Sequence, residues 1–189
     1  VKNFINLGSS CMYPRNAKNP LKEIDILKGE LEPTNEGYAL AKICVQRLCD
    51  YLSRKDNSLN YKTLIPCNLY GKFDSFQENK SHLVPSIISK IHNAIKVKEN
   101  SVEIWGSGKV RREFMYAGDL ADAIWFCLER INNLPNCLNI GLGYDHSILD
   151  YYQVASSVLK FDGTFTFNLE KPEGMKQKLV DPTLMEKLG

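Results

Sequence analysis

The sequence predicts an α/β fold, in which helices cover a parallel sheet, and three observations lead to this prediction. Short apolar runs of strand length recur along the chain. Between them lie longer segments in which apolar residues return every three or four positions, as on one face of a helix. Strands that alternate with helices favour parallel strands joined by right-handed crossovers. The chain has 189 residues, of which 43% are hydrophobic, so it is large enough to build a core.

The first part of the chain contains two predicted strands and one helix. Residues 1–7 are rich in apolar side chains and predict a buried strand. Residues 8–35 are polar and contain three prolines, which predicts a long functional loop. A helical stripe follows at 37–53, and residues 61–67 predict a second short strand.

The second part of the chain continues the alternation. A helix is predicted from Ser81, its capping residue, to about residue 95. The stretch "VEIWGSGKVRREFMY" predicts two strands around a Gly-Ser-Gly turn. The remaining predicted elements are a helix at 119–131, a strand at 137–140 and a helix at 147–159.

Composition and charge argue against several classes of protein. The 24 Lys and Arg residues nearly balance the 22 Asp and Glu residues, so we expect no nucleic-acid binding. The six cysteines are scattered without Cys-x-x-Cys spacing, which is typical of free thiols in a reducing cytoplasm. We see no apolar run of membrane-spanning length and no signal peptide, and we expect a cytoplasmic protein without a metal site.

The segment "YALAK" contains the first candidate for catalysis. It places Tyr38 and Lys42 four residues apart, on one face of the predicted helix, with Cβ atoms roughly 5–6 Å apart. A phenol has a pKa of about 10, and a neighbouring ammonium favours the phenolate. The pair therefore suits acid/base chemistry on a carbonyl substrate, although an amphipathic helix with an exposed lysine explains the spacing equally well.

Polar side chains follow both predicted strands of the first part. Ser9, Ser10 and Cys11 come after the first strand, and Asn68 follows the second. In parallel α/β sheets, ligands bind at the carboxyl ends of the strands. We therefore expect the active site at this edge of the sheet.

Together these motifs resemble the extended short-chain dehydrogenase/reductase family. A strand ending in Ser-Ser, then Tyr-x-x-x-Lys on a helix, then a strand ending in "PCNLYG" follow one another as they do there. The resemblance implies a doubly wound Rossmann sheet. It also implies that Ser9 binds the substrate carbonyl, that Tyr38 is the catalytic acid, and that Lys42 holds the nicotinamide ribose and stabilises the phenolate.

Within that family, the chain resembles the GDP-L-fucose synthases over nearly its whole length. The segments that carry this resemblance, in the same order, are "LGSSCMYP", "LEPTNEGYALAK", "NLYGKFDSF", "SHLVP" and "WGSGKVRREF". It implies NADPH-dependent epimerisation at C3 and C5 and reduction at C4 of GDP-4-keto-6-deoxy-mannose. Cys11 and His82 are then the base and the acid of the epimerisations.

The resemblance also implies binding residues. The residues expected to contact NADP are Leu7, Gly8, Ser9, Ser10, Lys42, Pro66, Cys67, Asn68, Leu69 and His82. The residues expected to contact the GDP-sugar are Asn68, Lys90, Trp105, Arg112 and Glu173. The family often has arginine at the position of Lys90 and aspartate at that of Glu173, so the sugar stays open and includes deoxyheptose and colitose relatives.

The proposed chemistry assigns a task to each reacting side chain. A ketone at C4 acidifies the hydrogens on C3 and C5, and a thiol and an imidazole on opposite sides of the ring suit their removal and return. A free thiol has a pKa of about 8.5, so Cys11 needs a cationic neighbour, and Lys42 is one source. Ser9 and Tyr38 supply donors to the enolate oxygen.

Each assignment has a plainer alternative. Cys11 could be a small packed residue, His82 a loop histidine, Trp105 core, and Arg112 part of a solvated strand face. At the level of function, the alternatives are a GDP-4-keto-sugar 4-reductase without epimerisation and a non-catalytic binding module.

The chain starts with Val inside a strand-like run and lacks the family's Gly-x-x-Gly-x-x-Gly turn, so we interpret it as an internal piece of a longer protein. Alone, this piece is expected to be inactive. Residues 1–69 are expected to form the second half of a Rossmann domain, and 70–189 a smaller substrate domain partly interleaved with it. The resemblance implies a homodimer, to which the helix at 38–51 contributes.

Overall fold

The computed structural model describes residues 1–77, 81–171 and 173–189, and the chain divides into two compact units. The first unit comprises Val1–Leu69, Glu113–Tyr144 and Lys178–Gly189. The second unit comprises Tyr70–Arg112 and Asp145–Gln177.

The helices and strands follow one another in the alternation that the sequence predicts. The helices are α1 (Glu36–Lys55), α2 (Leu83–Val97), α3 (Ala117–Glu129), α4 (Ile148–Leu159) and α5 (Thr183–Glu186). The strands are β1 (Asn3–Leu7), β2 (Asn60–Pro66), β3 (Asn68–Tyr70), β4 (Ser101–Trp105), β5 (Arg111–Arg112), β6 (Phe114–Tyr116), β7 (Cys137–Ile140), β8 (His146–Ser147), β9 (Thr164–Asn168) and β10 (Gln177–Lys178). None of the helices in the described part of the chain is both long and apolar enough to cross a membrane.

A parallel sheet in the order β1-β2-β7 forms the centre of the first unit. Its register places Leu7 beside Leu64 and Leu64 beside Leu138. Leu64, Ile65, Leu138 and Ile140 are almost completely buried, as expected for strands covered on both faces. Helix α1 packs on this sheet, and the predicted α/β fold class is confirmed.

The polar stretch between β1 and α1 is more ordered than a loop prediction suggests. It contains three short 3-10 turns, at Ser10–Met12, Glu23–Asp25 and Pro33–Asn35. Leu21 is fully buried and forms a parallel bridge with Val180, near the end of the chain. The segment after β1 is therefore tied to the last segment of the same unit.

The second unit is built on a two-stranded parallel sheet of β4 and β9. Strand β9 was absent from the sequence prediction, because "TFTFN" is short and lies in a polar stretch. A cluster of buried apolar residues forms the core of this unit and includes Ile87 and Ile91 of α2 and Tyr152 of α4. Helix α2 begins at Leu83, with His82 at the capping position that the sequence analysis gave to Ser81.

The prediction for the stretch 102–116 was wrong in one respect. The structure has three strands there, β4, β5 and β6, and they join three different sheets. Gly106 and Gly108 both have φ of +72°, a conformation that favours glycine, and they separate β4 from β5. The turn thus directs the chain away from β4, so the strands on its two sides do not pair.

Candidate active site

The turn after β1 is shaped by Gly8 and Ser9. The amide of Gly8 donates to Leu64 O at 2.7 Å and continues the parallel ladder by one residue. A Cβ on Gly8 would lie 3.0 Å from the sulfur of Met12, so a larger residue would crowd this turn. Ser9 is extended and caps the 3-10 turn, because its Oγ accepts a hydrogen bond from Cys11 N at 3.2 Å. Ser9 and Cys11 are half-buried, whereas Ser10 is buried.

A buried tyrosine anchors the far end of this turn. The hydroxyl of Tyr13 donates to Asn139 Oδ1, and Asn139 Nδ2 in turn donates to Leu21 O at 2.8 Å. Burial, together with the nearby Cys137, raises the pKa of Tyr13, so this phenol stays neutral. Sequence reasoning did not identify Asn139, because it is 126 residues away from Tyr13.

Tyr38 and Lys42 lie together on the first turns of α1, as the spacing predicts. Lys42 Nζ donates to Leu7 O, at the carboxyl end of β1, at 2.9 Å. The same ammonium lies 5.6 Å from the centre of the Tyr38 ring. Tyr38 is 51% exposed, so its hydroxyl is accessible to a ligand. The pair therefore stands at the edge of the sheet where ligands of α/β proteins bind.

The ammonium of Lys178 contacts the sulfur of Cys11. Lys178 Nζ lies 3.5 Å from Cys11 Sγ, whereas Lys42 is hydrogen-bonded to the backbone of Leu7. The sequence gave no signal for this contact, since 167 residues separate Lys178 from Cys11.

The segment after β2 combines buried and accessible residues. Pro66 and Cys67 are buried, and Asn68 and Leu69 are half-buried. Burial, reinforced by the charge of Glu113, raises the pKa of Cys67 to about 12, so this thiol is unreactive at neutral pH. Asn68 Nδ2 donates to Glu113 O at 2.8 Å.

The carboxylate of Glu113 organises the neighbouring loops and was not predicted. It is fully buried and accepts hydrogen bonds from the amides of Leu142, Gly143 and Val180. The two-glycine turn at 139–145 therefore directs amides toward an internal carboxylate. A Cβ on Gly141 would lie 2.6 Å from Glu113 Oε1, which explains the glycine.

His82 belongs to the second unit and precedes α2. Its side chain is 77% exposed, and its Nδ1 lies 3.2 Å from Asp74 Oδ1. This contact fixes the plane of the ring and leaves Nε2 as the outer nitrogen.

Two lysines flank Trp105 at the end of β4. Lys90 Nζ and Lys171 Nζ each lie 5.1 Å from the centre of the indole, which is 49% exposed. Lys90 also donates to Glu103 O at 3.0 Å, and burial lowers its pKa despite the opposing charge of Glu103. Lys171 was not predicted, although two cations beside one accessible aromatic ring form a clear positive site.

Arg112 and Glu173 come together in the second unit. Arg112 Nη1 donates to Met175 O at 2.7 Å, and its Nη2 lies 3.4 Å from Glu173 O. The Glu173 carboxylate accepts a hydrogen bond from Ser107 N, and the hydrogen bonds from Ser107 lower the pKa of this carboxyl. Of the predicted substrate residues, four thus lie in the second unit, and Asn68 lies in the first.

Comparison with known proteins connects these features to a family. The chain is 51% identical over 189 residues to GDP-L-colitose synthase of Yersinia pseudotuberculosis and 49% identical to GDP-L-fucose synthase of Azorhizobium caulinodans. It covers 61% and 60% of those proteins, so it spans about three fifths of their length.

A solved structure and a family model agree with these relatives. The chain matches the structure of a GDP-mannoheptose C4 reductase from Campylobacter jejuni with NADP bound, with a TM-score of 0.88 and 32% identity. The match covers 100% of this chain and 65% of that one, which agrees with the expected Rossmann-like fold. The model of the NAD dependent epimerase/dehydratase family matches residues 1–141. The chain therefore belongs to the NAD dependent epimerase/dehydratase family.

Proposed function

We propose that this chain carries the catalytic groups of an NADPH-dependent enzyme that epimerises a GDP-4-keto-6-deoxy-sugar at C3 and C5 and reduces it at C4. One observation carries the proposal. The Tyr38–Lys42 pair stands at the carboxyl end of β1, on which the turn with Ser9 and Cys11 also begins. The names of the relatives, a GDP-L-colitose synthase and a GDP-L-fucose synthase, support the substrate class.

The residues at this strand end fit a nicotinamide coenzyme. The ammonium of Lys42 is fixed on Leu7 O and is only partly buried, so it can also donate to ribose hydroxyls. We assign the coenzyme contacts to Leu7–Ser10, to Lys42, to residues 66–69 and to His82. NADPH, when bound, supplies the hydride for C4.

Reduction at C4 needs a proton donor at the ketone oxygen. Tyr38 donates this proton, because its hydroxyl is accessible. Lys42 stabilises the phenolate that remains, since its ammonium already lies against the phenol ring. The hydroxyl of Ser9 is a second donor to the same oxygen.

Epimerisation needs a base and an acid on opposite faces of the sugar ring. Cys11 removes the acidified hydrogen, and His82 returns a proton from the other face. The Asp74 carboxylate orients the His82 ring.

We assign recognition of the GDP group to residues of the second unit. The ammonium groups of Lys90 and Lys171 beside Trp105 supply positive charge for a diphosphate and an aromatic face. Arg112 and Glu173 are the further substrate contacts that we assign, together with Asn68.

A second candidate is reduction at C4 without epimerisation. The likeness to a GDP-mannoheptose C4 reductase favours it. The placement of Cys11, half-buried and beside the ammonium of Lys178, favours the full epimerase/reductase.

We also propose that two copies associate through α1. This helix buries Ala39, Ile43 and Cys49, yet it exposes a second apolar stripe. The members of this stripe, which we call the outer stripe of α1, are Leu40, Cys44, Leu48 and Tyr51. Such a contiguous apolar face is typical of an interaction surface.

Substitution of Tyr38 tests the proposed reduction. In the complete gene product that contains this sequence, Tyr38→Phe should lower the rate of NADPH oxidation by about 10²–10⁴, the loss expected for a proton-transfer group. Tyr51→Phe is the matched control, since Tyr51 lies on the same helix but outside the assigned catalytic and coenzyme-binding residues, and it should retain the parent rate. Near-normal turnover by Tyr38→Phe with GDP-4-keto-6-deoxy-mannose would contradict the assignment.

A further inference from the structure

The position of Lys178 is fixed by the segment that carries it. Leu179 N donates to Asn19 Oδ1 at 2.8 Å, and Val180 N donates to the buried Glu113 at 3.0 Å. On the other side, Leu21 N donates to Leu179 O at 2.8 Å. The residues directly after Lys178 are thus hydrogen-bonded to the segment that follows the Cys11 turn. These bonds hold the lysine beside the cysteine.

The ammonium of Lys178 lies in an unusual environment for a lysine. The residue is only 9% exposed, and Cys11 Sγ, at 3.5 Å, is the one hydrogen-bond partner that the structure gives its side chain within residues 1–77, 81–171 and 173–189. Lys178 takes part in none of the ion pairs found among those residues. A buried ammonium without a counter-charge is costly, and a thiolate at this distance supplies one.

Cys11 differs from the buried thiols of the chain. Cys49, Cys67 and Cys127 are buried, and burial raises the pKa of each. Cys11 is half-buried, so a ligand can reach its sulfur. Of these thiols, Cys11 thus combines access with a contact to a cation, the environment in which reactive cysteines occur.

We propose that Lys178 is a positioning residue that holds Cys11 as a thiolate, the form in which it acts as the base of the epimerisation; the catalytic role of Cys11 rests on the proposed function. The thiol releases its proton to solvent, and the ammonium keeps all three of its own. The thiolate then takes a proton from C3 or C5, and the electron pair of the broken C–H bond moves into the enolate. Cys11 becomes a neutral thiol, which loses the acquired proton again before the next cycle.

Alkylation of Cys11 tests this proposal without requiring turnover. The complete gene product is treated with iodoacetamide at pH 7, and modification of each cysteine peptide is followed by mass spectrometry. A free thiol is only a few per cent thiolate at this pH, so Lys178→Met should slow the alkylation of Cys11 by about tenfold. Lys178→Arg, which keeps the charge, should restore most of the rate. The other cysteine peptides of the same molecule are the internal reference, and each should be modified to the same extent in all variants.

Lys42→Met is the matched control, because Lys42 is the other ammonium near this strand end. It should leave the alkylation of Cys11 unchanged. Equal rates in the parent and in folded Lys178→Met would overturn the proposal, as would a loss that appears in Lys42→Met instead. A raised KM for the GDP-sugar with unchanged alkylation would also overturn it, and would make Lys178 a substrate contact.

Lys178→Gln covers the case in which Lys178→Met does not fold. It removes the charge but keeps a polar side chain, so it should slow the alkylation of Cys11 as well, and an unchanged rate contradicts the proposal. Failure of the proposed function is recognised separately. Cys11 could be alkylated as described while the protein catalyses no exchange of the C3 or C5 hydrogens of the sugar with solvent. That result would support the lysine–thiolate pair and contradict the proposed epimerisation.

Discussion

Single residues at this site differ in how their environment prepares them for proton transfer. Cys11 is half-buried on a turn whose amide is capped by Ser9 Oγ. His82 is largely exposed and contacts one carboxylate, that of Asp74. A thiol and an imidazole with these surroundings can act independently of the phenol of Tyr38. Loss of either group should therefore affect epimerisation and leave the reduction in place.

We expect Cys11→Ser and His82→Asn to separate the two reactions. A hydroxyl is a far weaker base than a thiolate, so Cys11→Ser should sharply reduce the incorporation of deuterium from D₂O at C3 and C5. His82→Asn should impair the return of a proton on the opposite face. Both variants should still reduce C4 and form an unepimerised 6-deoxy sugar, which NMR identifies. The controls are Cys44→Ser and His92→Asn, since Cys44 lies on the outer stripe of α1, outside the assigned catalytic groups, and His92 is exposed and carries no assigned role.

At the residue scale, sequence reasoning succeeds where local geometry determines the contact. Tyr38 and Lys42 share a helix face because they are four residues apart. The contacts of Lys178 and Glu113 could not be predicted from the sequence, for the opposite reason. Their partners lie 167 and up to 67 residues away, and a lone lysine or glutamate in the sequence resembles an ordinary surface charge.

Helices and strands are predicted well where the residues at their ends indicate the boundary, as a capping residue does. Helix α4 begins with Ser147 at its N-cap, and Asp150 completes a reciprocal capping box. Asp150 N donates to Ser147 Oγ at 3.1 Å, and Ser147 N donates to Asp150 Oδ2 at 2.8 Å. Strand β9 has no comparable signal, because it is defined by its pairing with β4, more than 60 residues earlier in the sequence. Non-local pairing of this kind cannot be read from a five-residue run.

The capping box gives a prediction for stability. Ser147→Ala should lower the free energy of unfolding by about 1 kcal/mol at pH 7, because the first turn of α4 loses its cap.

The hydrogen bonds from Ser147 lower the pKa of Asp150 in the folded protein. A depressed carboxyl pKa stabilises the fold above the unfolded value of about 3.9, and this contribution disappears as the pH falls through the folded value. Asp150→Asn should therefore destabilise at pH 7 and have little effect near pH 2.

Urea unfolding followed by circular dichroism at the two pH values measures both effects. Ser157→Ala is the matched control, since Ser157 is an exposed serine in the same helix, and it should change the stability by less than about 0.5 kcal/mol. A destabilisation by Asp150→Asn that is equally large at both pH values contradicts the role of the charged carboxylate.

At the scale of the whole molecule, helix α1 of the first unit has apolar residues on two faces, and only one of these faces packs on the core of that unit. One face of α1 packs on the β1-β2-β7 sheet, while the outer stripe of α1 remains accessible, with Leu48 56% exposed. The helical periodicity predicted one apolar stripe on this helix. It could not predict which face meets the sheet, because that choice depends on the strands.

If two copies associate through α1, a charge introduced into the outer stripe of α1 should prevent that association. If two copies pack their outer stripes together, Leu48→Glu places a carboxylate in an apolar interface, where burial of an unpaired charge opposes association. The complete gene product should then change from a dimer to a monomer in size-exclusion chromatography with light scattering. Val158→Glu is the matched control, because Val158 is an exposed apolar residue on α4 in the second unit, and this variant should remain a dimer. A parent protein that is monomeric at micromolar concentration, or a Leu48→Glu variant that stays dimeric, would exclude the outer stripe of α1 as the interface.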